Sequence, residues 1–255
     1  MSLVVSAPLA ATPRLPLYER GVRAAWGRVM TRVEMHIAHV PELGTPRHLP
    51  EGSGERDVIL VPGFGNTPVA MSAIGRSLER DGFRVHYLDI PDRAMGDAAT
   101  GVRLLSDLVA TVRAEHPAAQ LDLVGHSRGG VLARDFALFG AGDHPIDRVV
   151  TVNSANHGIA PLGPLQHLFP QAMREILEGS KLIDSINAPA APSISTRFTA
   201  LSTEKSDLVL VPARSGRIDD GANVVIDHGR GRVTHYGVLT DDIAYDALRD
   251  ALLVP

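Results

Sequence analysis

Short apolar runs alternate with stretches of helical period along most of this chain, and that alternation leaves few folds open. Residues 57–62 (DVILVP), 83–89 (FRVHYLD), 120–125 (QLDLVG) and 148–153 (RVVTVN) read as strands. Between the first two, Thr67-Pro68 offers a helix N-cap with Pro at the first helical position. Met71, Ile74 and Leu78 follow on one face, and Gly82 stops the helix. Between the next two, residues 97–116 carry Val102, Leu105, Val109 and Val112 on one stripe, closed by Pro117. A third helix runs from Gly129 to about Phe139. Strands joined by helices are crossover units. They build a mostly parallel central sheet with helices on both faces, an α/β fold.

The ends of the chain are less regular. Residues 1–16 read as an irregular arm. From Leu17 to about Val40 a helix is expected, with Val22, Trp26, Val29, Val33 and Ile37 on its apolar side, ended by Pro41. Its His36 and His39 have a spacing that can bind metal. No partner nearby completes a metal pattern, so they read as surface or packing histidines. Residues 1–50 form an arm and helix that pack on or extend the main domain, which spans 51–255. Residues 158–193 are apolar and punctuated by Pro. Leu165, Leu168, Phe169, Ala172, Ile176 and Leu177 stand there at helical spacing, as a lid or cap-like insertion between later strands. Strands are expected at 197–201, 207–211 and 223–227. A last helix is expected from an N-cap at Thr240, with Ile243, Ala247, Leu248 and Ala251 inward.

Composition excludes several classes. The chain has 255 residues, a formal charge of −4 and no cysteine. Thiolate nucleophiles, disulfides and Cys-ligated metals are therefore out. No surplus of basic residues points to nucleic acid, and no run is apolar enough to span a bilayer. The first residues, MSLVVSAPLAATPR, lack a positive start, and Pro8 interrupts their apolar run. A cytoplasmic location is the expectation, with secretion the alternative.

Gly125-His126-Ser127-Arg128-Gly129 fits G-x-S-x-G and lies where a strand gives way to a helix. A sharp turn there strains the serine backbone and needs neighbours without Cβ atoms, which Gly125 and Gly129 supply. A phosphate-binding turn is the bland alternative, but neither G-x-G-x-x-G nor G-x-x-x-x-G-K occurs. A serine hydroxyl needs a base and an acid that orients it, and on this architecture they follow in the order Ser, Asp or Glu, His. Asp207 and His235 meet that order just beyond later strands. Glu204, Asp219 and Asp220 are alternative acids, and His228 an alternative base. Oxyanion donors would be the N–H of Arg128, next to the serine, and that of Phe64, in the Gly-rich turn after the first strand.

These segments together resemble the small bacterial lipase and esterase group of the α/β-hydrolases. VILVPGFG is similar to its oxyanion segment, with Pro62 where the group often has His. LDLVGHSRGG is similar to its nucleophile elbow, STEKSDLVLVP to its acid loop and THYGVL to its histidine loop. VVTVNSANHG and EGSKLIDSINAP add two more matches in order, over about residues 57–253. The resemblance implies a triad of Ser127, Asp207 and His235 and oxyanion roles for Phe64 and Arg128. It implies a serine carboxylic-ester hydrolase acting on a small-molecule or lipid ester, with transient contact at a lipid interface. A thioesterase, amidase or acyltransferase is the nearest alternative, and a non-catalytic binding protein on the same fold a more distant one. No cofactor is expected. Calcium, held near the histidine loop in some lipases, would have Asp219, Asp220, Asp241 and Asp242 available, without a recognisable calcium spacing.

Overall fold

The computed structural model describes residues 4–5, 17–49, 55–91, 96–161, 163–188, 194–203, 207, 209, 212–227 and 233–253. Six parallel strands form the body of the sheet: β2 (Arg56–Val61), β3 (Arg84–Leu88), β4 (Gln120–His126), β5 (Arg148–Val152), β6 (Arg197–Ser202) and β7 (Ala222–Val225). A two-residue strand, β1 (Val4–Val5), lies parallel along the outer side of β3, within the arm expected to be irregular. The spatial order is β1-β3-β2-β4-β5-β6-β7.

Alternation along each strand decides what packs where. Ile59 and Val61 of β2, Leu121 and Leu123 of β4 and Val149 of β5 face one layer. That layer holds α3 (Ala98–Glu115), α4 (Arg128–Asp135) and α6 (Lys181–Ile186). Val58, Leu60, Val124, Val150 and Val152 face the other. There lie α1 (Leu17–Ala38), α2 (Ser72–Arg80) and α7 (Asp242–Leu253). Both faces of the sheet are therefore covered by apolar side chains, the condition that lets an all-parallel sheet exist.

The chain leaves β2 for β3 on one side, then returns across β2 to β4. The connections after β2 and β4 thus lead to helices on opposite faces, and a crevice opens between their carboxyl ends.

Several boundaries differ from the sequence reading. Thr67-Pro68 opens a 3-10 turn, Pro68–Met71, before α2 begins. The Thr67 N–H is satisfied by the Glu34 carboxylate from α1, and its own side chain makes no cap bond. On α1, Met30, Glu34 and Ile37 turn inward while Val29 faces solvent; the side chain of Val22 lies outside the described residues. The last helix starts at Asp242, and Asp241 rather than Thr240 accepts the Ala244 N–H. Its inward face is Ala244, Tyr245, Leu248, Arg249 and Leu252, with Ile243 exposed. The stripe is rotated by the pull of buried Asp81 on Tyr245 and Arg249.

Asp207 and Val209 belong to no strand, and the rest of 207–211 lies outside the described residues. The apolar spacing across 165–177 does not make one helix. Pro170 and a glycine with positive φ at 179 divide the segment into a 3-10 turn, Gly163–Leu168, a single turn α5 (Gln171–Arg174) and α6. Ile159, Ile176, Leu177, Ile183 and Ile186 are built into the core, whereas Leu168 and Phe169 stand at the surface. Residues 162 and 189–193, and the side chain of Leu165, lie outside the described residues. Among the described residues no helix is long and apolar enough to cross a membrane.

Candidate active site

The site is built on one strained residue. Ser127, between β4 and α4, holds φ 55° and ψ −125°. Such a turn survives only because its surroundings fix it. Its N–H donates to Val152 O at 3.0 Å. A Cβ on Gly125 would sit 2.4 Å from Gly130 N, and one on Gly129 2.2 Å from Val61 O. Both contacts are impossible for a real side chain, so the two glycines let the turn close and let α4 approach the end of β2.

That approach brings the turn after β2 beside the serine. The turn after β2 runs Gly63 to Asn66, closed by Asn66 N–H donating to Gly63 O at 3.2 Å. Phe64 N–H takes no part in that bond. Gly63 lies against the serine, where an added Cβ would be 3.0 Å from Ser127 Cβ. Arg128 N–H belongs to the first turn of α4, whose N–H groups point out of the helix end with its positive partial charge. The Arg128 side chain is buried and donates to Gly96 O at 2.9 Å, with Glu175 at 3.4 Å, which ties the elbow to the start of α3 and to α5.

His235 and Asp207 complete the arrangement. His235 Nε2 is 2.9 Å from Ser127 Oγ, and His235 Nδ1 is 2.7 Å from Asp207 Oδ2. A carboxylate only accepts, so Nδ1 carries the ring proton and Nε2 is left to accept from the hydroxyl. All three side chains are buried. Asp207 Oδ1 also accepts Val209 N–H at 2.7 Å, which fixes the carboxylate plane. The alternatives are elsewhere. Asp219 is exposed near His157 at 3.5 Å, and Asp220 pairs with Arg134 at 3.0 Å. Glu204 and His228 lie outside the described residues.

Sequence reading missed the supports. Asn153 has φ 42°, a conformation Asn tolerates better than most residues. Its Oδ1 accepts Thr203 N–H at 2.9 Å and its Nδ2 donates to Thr203 Oγ1 at 2.9 Å. Thr203 O in turn accepts Asp207 N–H at 3.1 Å, so the loop after β5 carries the acid loop. His126, noted only as part of the elbow, donates from Nε2 to the His235 carbonyl at 3.0 Å. Burial pushes its pKa down to about 3, which keeps the ring neutral. The four aspartates considered for calcium are dispersed. Asp219 lies near His157 and Asp220 pairs with Arg134, while Asp241 caps α7 and Asp242 accepts Gly44 N–H at 2.8 Å.

Beside the turn after β2, Trp26 of α1 packs on Phe64 with ring centroids 5.6 Å apart, and Ala172 and Met173 of α5 join them.

The comparisons agree with this architecture. Structural matches include Aspergillus fumigatus lipase B (TM-score 0.65, 17% identity, 80% of this chain and 55% of that one). This chain thus spans about half the length of that lipase. Bacillus licheniformis lipase BlEst2 in its mature form matches with TM-score 0.62 and 14% identity, over 83% of this chain and 97% of the other. A metagenomic carboxyl esterase matches with TM-score 0.55 and 15% identity, over 96% and 97%. At such identities the likeness is one of fold. No curated protein matches the sequence. The profile of the alpha/beta hydrolase fold family matches residues 58–238, most of the chain and the whole span from β2 to the histidine loop, and the protein belongs to that family.

Proposed function

We propose that the protein is a serine carboxylic-ester hydrolase working through an acyl-enzyme. The observation that carries this reading is the hydrogen-bonded series Asp207–His235–Ser127, at 2.7 and 2.9 Å, ending on a strained elbow. Ser127 Oγ attacks the ester carbonyl carbon while its proton passes to His235 Nε2. The carbonyl oxygen becomes an oxyanion facing the N–H groups of Arg128 and Phe64. The ester C–O bond then breaks, His235 returns the proton to the leaving alkoxide, and an alcohol departs. Water, deprotonated by the same ring, attacks the acyl-enzyme; the acid leaves and Ser127 regains its proton. Asp207 holds the ring orientation and stabilises the imidazolium throughout.

The apolar group of Phe64, Trp26, Ala172 and Met173 supports an ester with an apolar acyl chain, since it stands next to the oxyanion turn. In this reading the 163–174 stretch serves as a wall or lid for that chain, with Leu168 and Phe169 available at its surface for a lipid interface. Ser127→Ala is expected to abolish turnover of p-nitrophenyl butyrate while leaving the protein folded. Unchanged turnover in a clean preparation would reject the assignment. A panel of ester, thioester and anilide substrates tests the bond class, and preference for either of the last two would replace the ester reading.

A further inference from the structure

At the end of the strands opposite Ser127 lies a second cluster, unconnected with the proposed hydrolysis. Asp57 is the second residue of β2, His86 lies on β3 and His116 follows the last residue of α3. In the β2–β3 register Asp57 pairs with Arg84 and Ile59 with His86, so Asp57 and His86 are diagonal neighbours on the α3 face. One oxygen of Asp57 and one nitrogen from each ring all lie within 4.8 Å of one another. It is the one group of three or more such side chains among the described residues.

Hydrogen bonding alone does not account for this geometry. Asp57 Oδ1 has three nitrogens around it: His86 Nε2 at 2.8 Å, Arg84 Nε at 3.0 Å and His116 Nδ1 at 3.1 Å. A carboxylate oxygen offers two lone-pair directions. Arg84 and His86 take them, so His116 Nδ1, buried and within ion-pair distance of the same oxygen, makes no hydrogen bond. A nitrogen in that state carries a cost that a cation between the rings and the carboxylate would remove. The charges permit it. Arg84, which would otherwise repel a cation, also pairs with Glu55 at 2.9 Å, so Glu55 offsets the guanidinium and leaves the Asp57 charge for the ion. Arg84 Nη2 meanwhile grips Asp57 Oδ2 at 2.9 Å and orients the carboxylate, the kind of outer support that metal ligands have.

We propose that Asp57, His86 and His116 form a binding site for a divalent transition-metal ion, zinc being the best match to two imidazoles and one carboxylate. Ligand atoms around a tetrahedral zinc stand about 3.3 Å apart. Spreading the present 2.8 and 3.1 Å contacts by a few tenths of an ångström gives that spacing. His86 and Asp57 are buried, but the His116 side chain is 26% exposed, which leaves one side for water as the fourth ligand. By the rise of a strand the ion would lie about 20 Å from the Ser127 turn. It would staple the starts of β2 and β3 to the end of α3 and take no part in acyl transfer.

The test is a zinc titration of the chelator-treated full chain, followed by calorimetry and by thermal unfolding. The expected result is one ion per chain and a rise in Tm of several degrees. His116→Ala and, separately, His86→Gln weaken binding by roughly 100-fold or more. His36→Ala/His39→Ala, which removes the exposed pair at the carboxyl end of α1, leaves it unchanged. Three results would overturn the site. One is no saturable binding up to about 100 µM zinc. The others are affinity unaltered in both the His116 and His86 variants, or binding lost with the α1 pair instead. In the first case the cluster is an ion-paired hydrogen-bond network only.

Discussion

On the proposed mechanism Ser127, His235 and Asp207 work through orientation, so the sharpest prediction for single residues concerns a change that keeps the shape. Asp207→Asn presents an amide where His235 Nδ1 needs an acceptor, and the ring turns to the wrong tautomer. On the proposed mechanism kcat for an ester falls by roughly 10⁴-fold, with little change in KM. His126 gives a second. Its pKa is pushed down to about 3 by burial. An unfolded histidine titrates near 6.5. Between those values the unfolded chain binds a proton that the native state refuses. The stability held by neutral His126 is therefore complete above about pH 6.5 and drains as pH falls toward 3, by up to about 1.4 kcal/mol per unit. His126→Gln keeps an N–H for the His235 carbonyl and removes the titration. Urea unfolding between pH 6.5 and 4 is expected to show a flatter pH dependence in that variant; an identical slope would refute the assignment. Ser127 was legible because its signal is local: five residues at a strand-to-helix turn. Asp207 was separable from Asp219 only by its place just beyond the 197–201 strand, and nothing in the sequence marks Asn153 or Thr203, whose work depends on two loops meeting.

Among the elements, the elbow has the least room. Gly129→Ala drives a Cβ to 2.2 Å from Val61 O, a backbone atom that cannot move without shifting β2. A loss of about 3 kcal/mol or more is expected, read from the urea midpoint, together with loss of the proposed ester hydrolysis. Stability within 0.5 kcal/mol of the parent, by the usual size of surface effects, would show that the close approach is wrong. The core strands were readable because each is a short apolar run bounded by turn residues, and both faces of a parallel sheet demand apolar side chains. Where period alone was used, it failed in identifiable ways. Across 165–177 the apolar spacing is helical, but Pro170 breaks the run. In α7 the expected face was drawn from aliphatic residues, while the buried face includes Tyr245 and Arg249, which turn inward for a polar reason.

For the whole molecule, the tie between the two ends of the chain is Asp81. It accepts from Arg80 Nε at 2.8 Å, Tyr245 OH at 2.8 Å and Arg249 Nη1 at 3.2 Å, and Arg249 also donates to Thr45 O. Burial alone would raise the Asp81 carboxyl, but these donors hold it below its ordinary value. Its contribution is thus present above the unfolded carboxylate range and lost as acid protonates it in the native state. Asp81→Ala strands the fully buried Arg249 without this partner and should cost about 3–5 kcal/mol in denaturant unfolding. A cost below about 1 kcal/mol would mean that the latch is replaceable. None of this was legible in the sequence, because Asp81 and Arg249 are far apart in the chain. The same holds for Asp57, His86 and His116, each about thirty residues from the next. Local pattern specifies elements, and only the assembled sheet shows which distant polar groups share a face.

In the proposed mechanism Ser127 is an activated nucleophile. Reaction with a fluorophosphonate, with the adduct located by peptide mass spectrometry, tests it most directly. One adduct per chain is expected, on Ser127, and its loss in His235→Ala. A protein that stays unlabelled, or carries the label on another serine, would contradict it.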